Sequence, residues 1–278
     1  MIVHLPSTLA EVWPLLDAPN TQIHVMAGGT DHLIKRRSAR IAGDICCLER
    51  IPQLRGVALI DAALRIGAAT TLTELLESEA VATHLPLLQS AIRQLGSPLV
   101  RNQATLGGNI GTASPAGDTL PALYVLGATI ELASRVSSRS VTVEGFITGP
   151  GQTVLEPGEI ITAVRIPLPH PEAVQHFEKV GKRRALAISV ASLAACLSMN
   201  DGRIQKIRLA LGSVGPTVLR CREAEEWLTG RELTPDNLRQ AAQLVREAVR
   251  PISDVRATAD YRRQVAGNLL LRLGDRHP

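Results

Sequence analysis

The spacing of apolar and polar residues changes period many times along the chain, and each change marks an element. LAEVWPLLDA, running up to Pro19 and Asn20, has apolar residues at helical spacing with Glu11 in its first turn. It predicts a short amphipathic helix capped by Ser7 or Thr8, with Pro14 in its first turns. IHVMAGGTDHLIKRR then reads as a strand from Ile23 to Met26, a sharp turn over Ala27-Gly28-Gly29-Thr30, and a helix starting near Asp31. Ile45 to Leu48 and Val57 to Asp61 are short apolar runs of strand character. Leu64 to Ser78 gives a strand, a small-residue turn and a helix capped by Thr71 or Thr73. Helices are expected from Pro86 to Leu95 and from Thr119 to Leu126, with a strand from Thr129 to Ala133. The stretch ATLGGNIGTASPAGDTLP (Ala104 to Pro121), which leads into the second of these helices, has no apolar period before Thr119 and reads as a glycine-rich loop.

Thr148 to Gly158 is rich in turn residues and precedes a strand from Glu159 to Ile166. Pro167, Pro169 and Pro171 follow, and since proline cannot continue a ladder, the main domain boundary is placed there. Beyond it, Ala185 to Met199 is a nearly unbroken apolar run predicting a buried strand. Asn200-Asp201-Gly202 is a hairpin turn, and Ile204 to Gly212 is its partner strand. Helices from Cys221 to Leu228, from Thr234 to Val249 and over YRRQVAGNLLLRL complete the chain. Short strands alternating with short helices indicate an α/β or α+β architecture.

Composition narrows the function classes. The 278 residues are 45% hydrophobic but only 2% aromatic, so the core is aliphatic and base stacking is disfavoured. The net charge of +4 is scattered, with local basic runs only at Lys35 to Arg37 and Lys182 to Arg184, unlike a nucleic-acid face. No apolar run is long enough to span a bilayer, and MIVHLPSTLAEV lacks the features of a signal peptide, so a cytoplasmic location is expected. Cys46, Cys47, Cys196 and Cys221 have no CxxC spacing and read as buried thiols in a reducing compartment. The histidines, at positions 4, 24, 32, 84, 170, 176 and 277, form no metal-binding motif. No metal site and no iron–sulfur cluster of this chain's own is expected.

The candidate chemistry lies in two glycine pairs, Gly28-Gly29 and Gly107-Gly108, each followed by hydroxyl or amide side chains. Without a Cβ, the backbone amides can close on a bulky anion, and Thr30, Thr105, Thr112 and Ser114 add neutral donors. Such a cradle for a diphosphate would work without lysine. Neither pair is a GxGxxG fingerprint, and no GxxxxGK[ST] occurs, so neither a Rossmann site nor a P-loop is indicated. The same pairs also fit ordinary tight turns, and Asp118 fits the N-cap of the helix that follows it.

Five segments together resemble the FAD-binding subunit of molybdenum hydroxylases, the group of xanthine dehydrogenase, carbon monoxide dehydrogenase and aldehyde oxidoreductase. They are AGGTD (Ala27 to Asp31), VRNQATLGGNIGTASPAGDTLPAL (Val100 to Leu123), GPG followed by PGEIITAVRIP (Pro157 to Pro167), GSVGPTVLR (Gly212 to Arg220) and SDVRATADYRR (Ser253 to Arg263). The resemblance implies an α+β protein with a two-subdomain FAD-binding fold of the vanillyl-alcohol-oxidase (PCMH) type over 1–168, divided near residue 55. A smaller α+β C-terminal domain would cover 172–278. It also implies non-covalent FAD held by Val25, Met26, Ala27, Gly28, Gly29, Thr30, Asp31 and His32, and by Thr105, Leu106, Gly107, Gly108 and Asn109, with Thr112 and Ser114 beside them. Asp118, Ile161 and Lys179 match further flavin-contacting positions. Leu95 and Leu186 stand where relatives often carry an aromatic residue.

By the same resemblance, a [2Fe–2S] small subunit would feed electrons to this FAD and a molybdopterin-binding large subunit would oxidise the substrate, in a dimer of heterotrimers. NAD or another acceptor would receive the electrons. No residue of this chain is assigned a catalytic role. Two other readings fit parts of the sequence. A self-sufficient flavoenzyme of the same fold would need a proton-handling pocket of its own, with His24 or His32 as the candidates for covalent flavin. A non-enzymatic interaction protein leaves the two glycine pairs unexplained.

Overall fold

The computed structural model describes residues 1–18, 22–39, 42–183 and 186–276. Pro19, Asn20, Arg184, Ala185 and His277, named above, lie outside the described residues. The chain forms two compact units, neither continuous in sequence. One comprises Met1–Ala80, Ser97–Ala113 and Ala128–Pro167, and the other Val81–Gly96, Ser114–Gly127 and Leu168–Pro278. No helix among the described residues is long and apolar enough to cross a membrane.

Among the described residues the first unit contains three sheets, one of them a two-stranded ribbon of Ile147–Gly149 and Gln152–Thr153. Val3–His4, Asp44–Cys47 and Ile23–Met26 form a parallel sheet with Asp44–Cys47 in the middle. Its core gathers Val12, Cys46, Leu48, Ile51, Leu54, Ala69 and Ile160. The Leu9–Leu16 helix packs on this core, and Thr8 is its N-cap, accepting from the Glu11 amide. Pro14 is the sixth of its eight residues, in the second turn. The second sheet is antiparallel, in the order Val57–Ile60, Ala63–Gly67, Ile160–Pro167, Thr129–Ala133, Ser138–Thr142. Ser138–Thr142 was not expected as a strand. Its apolar content is a single Val141, and it becomes a strand by pairing along the whole of Thr129–Ala133.

The second unit is built on an antiparallel sheet in the order Val174–Gly181, Ser189–Asn200, Arg203–Gly212, Leu219–Arg220. Residues 189–195 of the Ser189–Asn200 strand are buried on both faces. Ala191, Leu193, Ala195 and Leu197 join one large core with the helices Arg222–Leu228, Pro235–Ala248 and Ala259–Arg276. On the opposite face Ser192 is so close to Gly212 that a Cβ there would lie 2.5 Å from the Ser192 Oγ and 3.0 Å from Pro121, which explains the glycine. Asp201 and Gly202 both have positive φ, 49° and 74°, as a two-residue hairpin turn requires. Arg262, almost fully buried, donates to the carbonyls of Val190 (2.9 Å) and Ser213 (3.1 Å) and to Asp254 (2.7 Å). Asp254 also accepts from the amides of Arg256 and Ala257 and from the Arg256 guanidinium, and these bonds hold its carboxyl below the usual range. The SDVRATADYRR segment is thus a buried arginine clamp on strand ends.

Candidate functional site

In the first unit, the Ile23–Met26 strand delivers the chain into the Ala27–Asp31 turn, and the His32–Ala39 helix leaves it. Gly29 has φ +70°, which a side chain rarely adopts, and a Cβ there would meet Leu33 and Met26 at 3.0 and 3.1 Å. Its carbonyl accepts from the Leu33 amide, which starts the helix. The amides of Gly28, Gly29 and Thr30 have no acceptor among the described residues. Three successive free donors ahead of a helix N-terminus form a concavity suited to an anion. The cations nearby, Lys35 and Arg36, outweigh the single carboxylate of Asp31, which is ion-paired with Lys35 at 2.8 Å.

The second glycine pair is not a loop. Ala104 to Pro121, expected without regular structure, contains the helix Leu106–Thr112, capped by Thr105, whose Oγ1 accepts from the Gly108 amide at 3.1 Å. The Leu106 amide donates to Thr70 O and the Gly107 amide to Ala68 O, at 3.1 and 2.9 Å. Thus the amides of Leu106, Gly107 and Gly108 are engaged within the protein and do not form a second anion cradle. Gly107 is glycine because a Cβ would lie 2.6 Å from the Ala68 Cβ, whereas at Gly108 it would meet only the capping Oγ1. Gly108 and Gly111 are exposed, leaving a bare strip along this helix, and a Cβ on Gly111 would lie 3.6 Å from Ile161 Cδ1. A bare helix face accepts a flat apolar ring at close approach.

The two glycine regions meet. A Cβ on Gly28 would fall 1.6 Å from the Gln103 carbonyl oxygen, so its glycine brings two backbones together. The Thr112 hydroxyl donates to Asp31 at 3.1 Å. Val25, Met26, Ala27, Gly28, Gly29, Thr30, Asp31, His32, Thr105, Leu106, Gly107, Gly108, Asn109, Thr112 and Ile161 all belong to this unit.

Ser114, Asp118 and Lys179 belong to the other unit. Asp118 occupies the N-cap position of the Thr119–Leu126 helix, but with helical backbone and no capping bond, so the sequence-based capping reading is corrected. Its side chain accepts instead from the Lys179 ammonium at 2.6 Å, and that ammonium also donates to Gln94 O at 3.0 Å. Both side chains are almost fully buried, and Asp118 Oδ1 is left without a partner. Burial pushes the Asp118 carboxyl up to about 6 against the pull of Lys179. A buried, unpaired carboxylate oxygen is an acceptor waiting for a donor.

Two family descriptions fit the chain end to end. Residues 1–169 match the FAD binding domain in molybdopterin dehydrogenase, and residues 176–276 match the CO dehydrogenase flavoprotein C-terminal domain. The chain belongs to the FAD-binding subunits of the molybdenum hydroxylase family. It is similar to the xanthine dehydrogenase FAD-binding subunit of Escherichia coli O157:H7, 36% identical over 264 residues covering 93% of this chain and 89% of that one. The carbon monoxide dehydrogenase medium chain of Hydrogenophaga pseudoflava is 31% identical over 272 residues, covering 97% and 94%. In structure it resembles quinoline 2-oxidoreductase from Pseudomonas putida 86, with a TM-score of 0.94 at 27% identity over 99% of this chain and 96% of that one. The chain is therefore an oxidoreductase subunit with an FAD-binding domain and a flavoprotein C-terminal domain.

Proposed function

We propose that this chain is the electron-exit module of a three-part enzyme, with residues 1–168 as its FAD-binding domain and 172–278 as its C-terminal domain. It would work in the cytoplasm beside a [2Fe–2S] subunit and a molybdopterin-binding subunit, in a dimer of heterotrimers, and pass electrons to NAD or another acceptor. The observation that carries the cofactor assignment is the Ala27–Asp31 turn, with three acceptor-free amides and a positive-φ glycine. FAD supplies the exchange between one-electron donors and a two-electron acceptor.

This chain's own residues bind and orient. Gly28, Gly29 and Thr30 would direct their amides at the diphosphate, and Lys35 and Arg36 add a favourable field. Gly108 and Gly111 would let the cofactor lie against the Leu106–Thr112 helix. The buried Asp118 oxygen offers a hydrogen-bond acceptor, and no side chain is called on to move a proton to or from an organic substrate. The fit to one subunit of the relatives' complexes supports the assembly.

The test is the cofactor itself. Denaturing the purified chain, or its complex, should release FAD into solution. Release of FMN, or flavin left on the acid precipitate, would contradict the assignment and turn attention to His24 or His32.

A further inference from the structure

The turn that carries the cofactor assignment is bracketed by two histidines that the proposed function leaves without a role. His24 lies on the strand that enters it and His32 is the first residue of the helix that leaves it. Their ring centroids are 5.5 Å apart, tilted by 43°. His24 Nε2 is 2.9 Å from the Ala42 carbonyl, which only accepts, so that nitrogen carries a proton. His32 Nε2 is buried without a hydrogen-bond partner.

The charged and titratable groups facing His32 are His24 from the strand and Asp31, Lys35 and Arg36 from its own turn and helix, with Asp31 also held by Thr112 of the Leu106–Thr112 helix. Burial first, then His24 and Arg36, hold the His32 imidazole below its ordinary range, and Asp31 only partly opposes them. With the turn empty, His32 is neutral at neutral pH. A diphosphate at the Gly28–Thr30 amides would bring two negative charges to the same turn and reverse that balance. Among His32 and the groups facing it, the His32 imidazole is the one whose charge the diphosphate would change near neutral pH.

We propose that His32 makes FAD binding proton-linked, taking up a proton as the diphosphate enters the turn. The inference rests on the placement of the diphosphate proposed above. The sign follows from linkage: the bound state holds more protons than the free state, so affinity rises as pH falls. FAD itself has no group that titrates between pH 6 and pH 8, so the dependence reports on the protein.

The test uses the full chain stripped of flavin. FAD titrations by fluorescence quenching should show binding about fivefold tighter at pH 6 than at pH 8. Calorimetry in two buffers of different ionisation enthalpy should show net proton uptake. His32→Gln should bind FAD more weakly than the unaltered chain at pH 6 and lose both the pH slope and the uptake. Should that variant not fold, proton uptake by the unaltered chain still decides. A flat profile, proton release, or a slope kept by His32→Gln overturns the proposal. Gly29→Val separates the two failures. If it leaves FAD affinity unchanged, the diphosphate lies elsewhere and the placement fails with the linkage. If it weakens binding while the unaltered chain shows no pH slope, only the linkage fails.

Discussion

Each glycine of the two pairs has a different task. Gly28 is fixed by a backbone contact to Gln103, so even Gly28→Ala should destabilise the protein by about 3 kcal/mol or more, measured by urea denaturation. Gly29→Val puts a β-branched residue at φ +70° and should cost about 1 to 2 kcal/mol of stability while sharply lowering flavin content. Gly108→Val should keep the fold, losing about 1 kcal/mol with the Thr105 cap, and still lower flavin content, because its Cβ would meet only that cap. A Gly108→Val protein with full flavin occupancy would remove the bare helix face from the site. The sequence announced the pairs as motifs. It could not say that Gly28 and Gly107 serve packing, because their partners, Gln103 and Ala68, are distant in the chain. Nor could it show that Asp118 turns from the cap to Lys179, an attraction that only burial makes decisive.

Asp118 also gives a pH prediction. Its folded-state pKa of about 6 lies above the ordinary 3.8, so between these values the folded state holds more protons than the unfolded chain. Stability from this group is therefore greatest below about pH 4 and falls as pH rises to 6, by at most about 3 kcal/mol. Urea denaturation of the unaltered chain against Asp118→Asn should show their difference changing across that window and level above it. A constant difference would mean that Lys179 fully offsets the burial.

At the scale of elements, the strand–turn–helix at Ile23–Ala39 and the hairpin around Asp201-Gly202 were legible because local signals and tertiary contacts agree there. Val174–Gly181 was hidden behind the spaced prolines, and its polar and apolar residues form a strand by pairing along Ser189–Asn200. The Leu106–Thr112 helix was missed because three glycines in seven residues argue against helix, and tertiary contacts at both ends override that propensity. The SDVRATADYRR segment carried no chemistry of its own in sequence, and Arg262 now explains it. Arg262→Ala leaves two carbonyls without their charged donor and should cost about 3 kcal/mol. Arg262→Lys should recover only part of that, since a single ammonium cannot reproduce the fork. Full recovery by lysine would show that charge alone is at work.

At the scale of the whole molecule, the order of motifs along the chain identified the family, and the crossing between units at Pro167 and Leu168 falls at the spaced prolines, whereas the other crossings were not legible. The units exchange segments at 81–96 and 114–127, where no change of composition marks the crossing. The central claim is that the chain accepts and forwards electrons but oxidises no organic substrate. Anaerobic stopped-flow absorbance of the isolated, FAD-loaded chain tests it most directly. Mixing with purines, aldehydes or carbon monoxide should leave the flavin oxidised, and adding the molybdenum and iron–sulfur subunits should restore reduction by the complex's substrate. Rapid bleaching of the isolated chain's flavin by an alcohol, aldehyde or purine would contradict the account and make this protein a self-sufficient flavoenzyme.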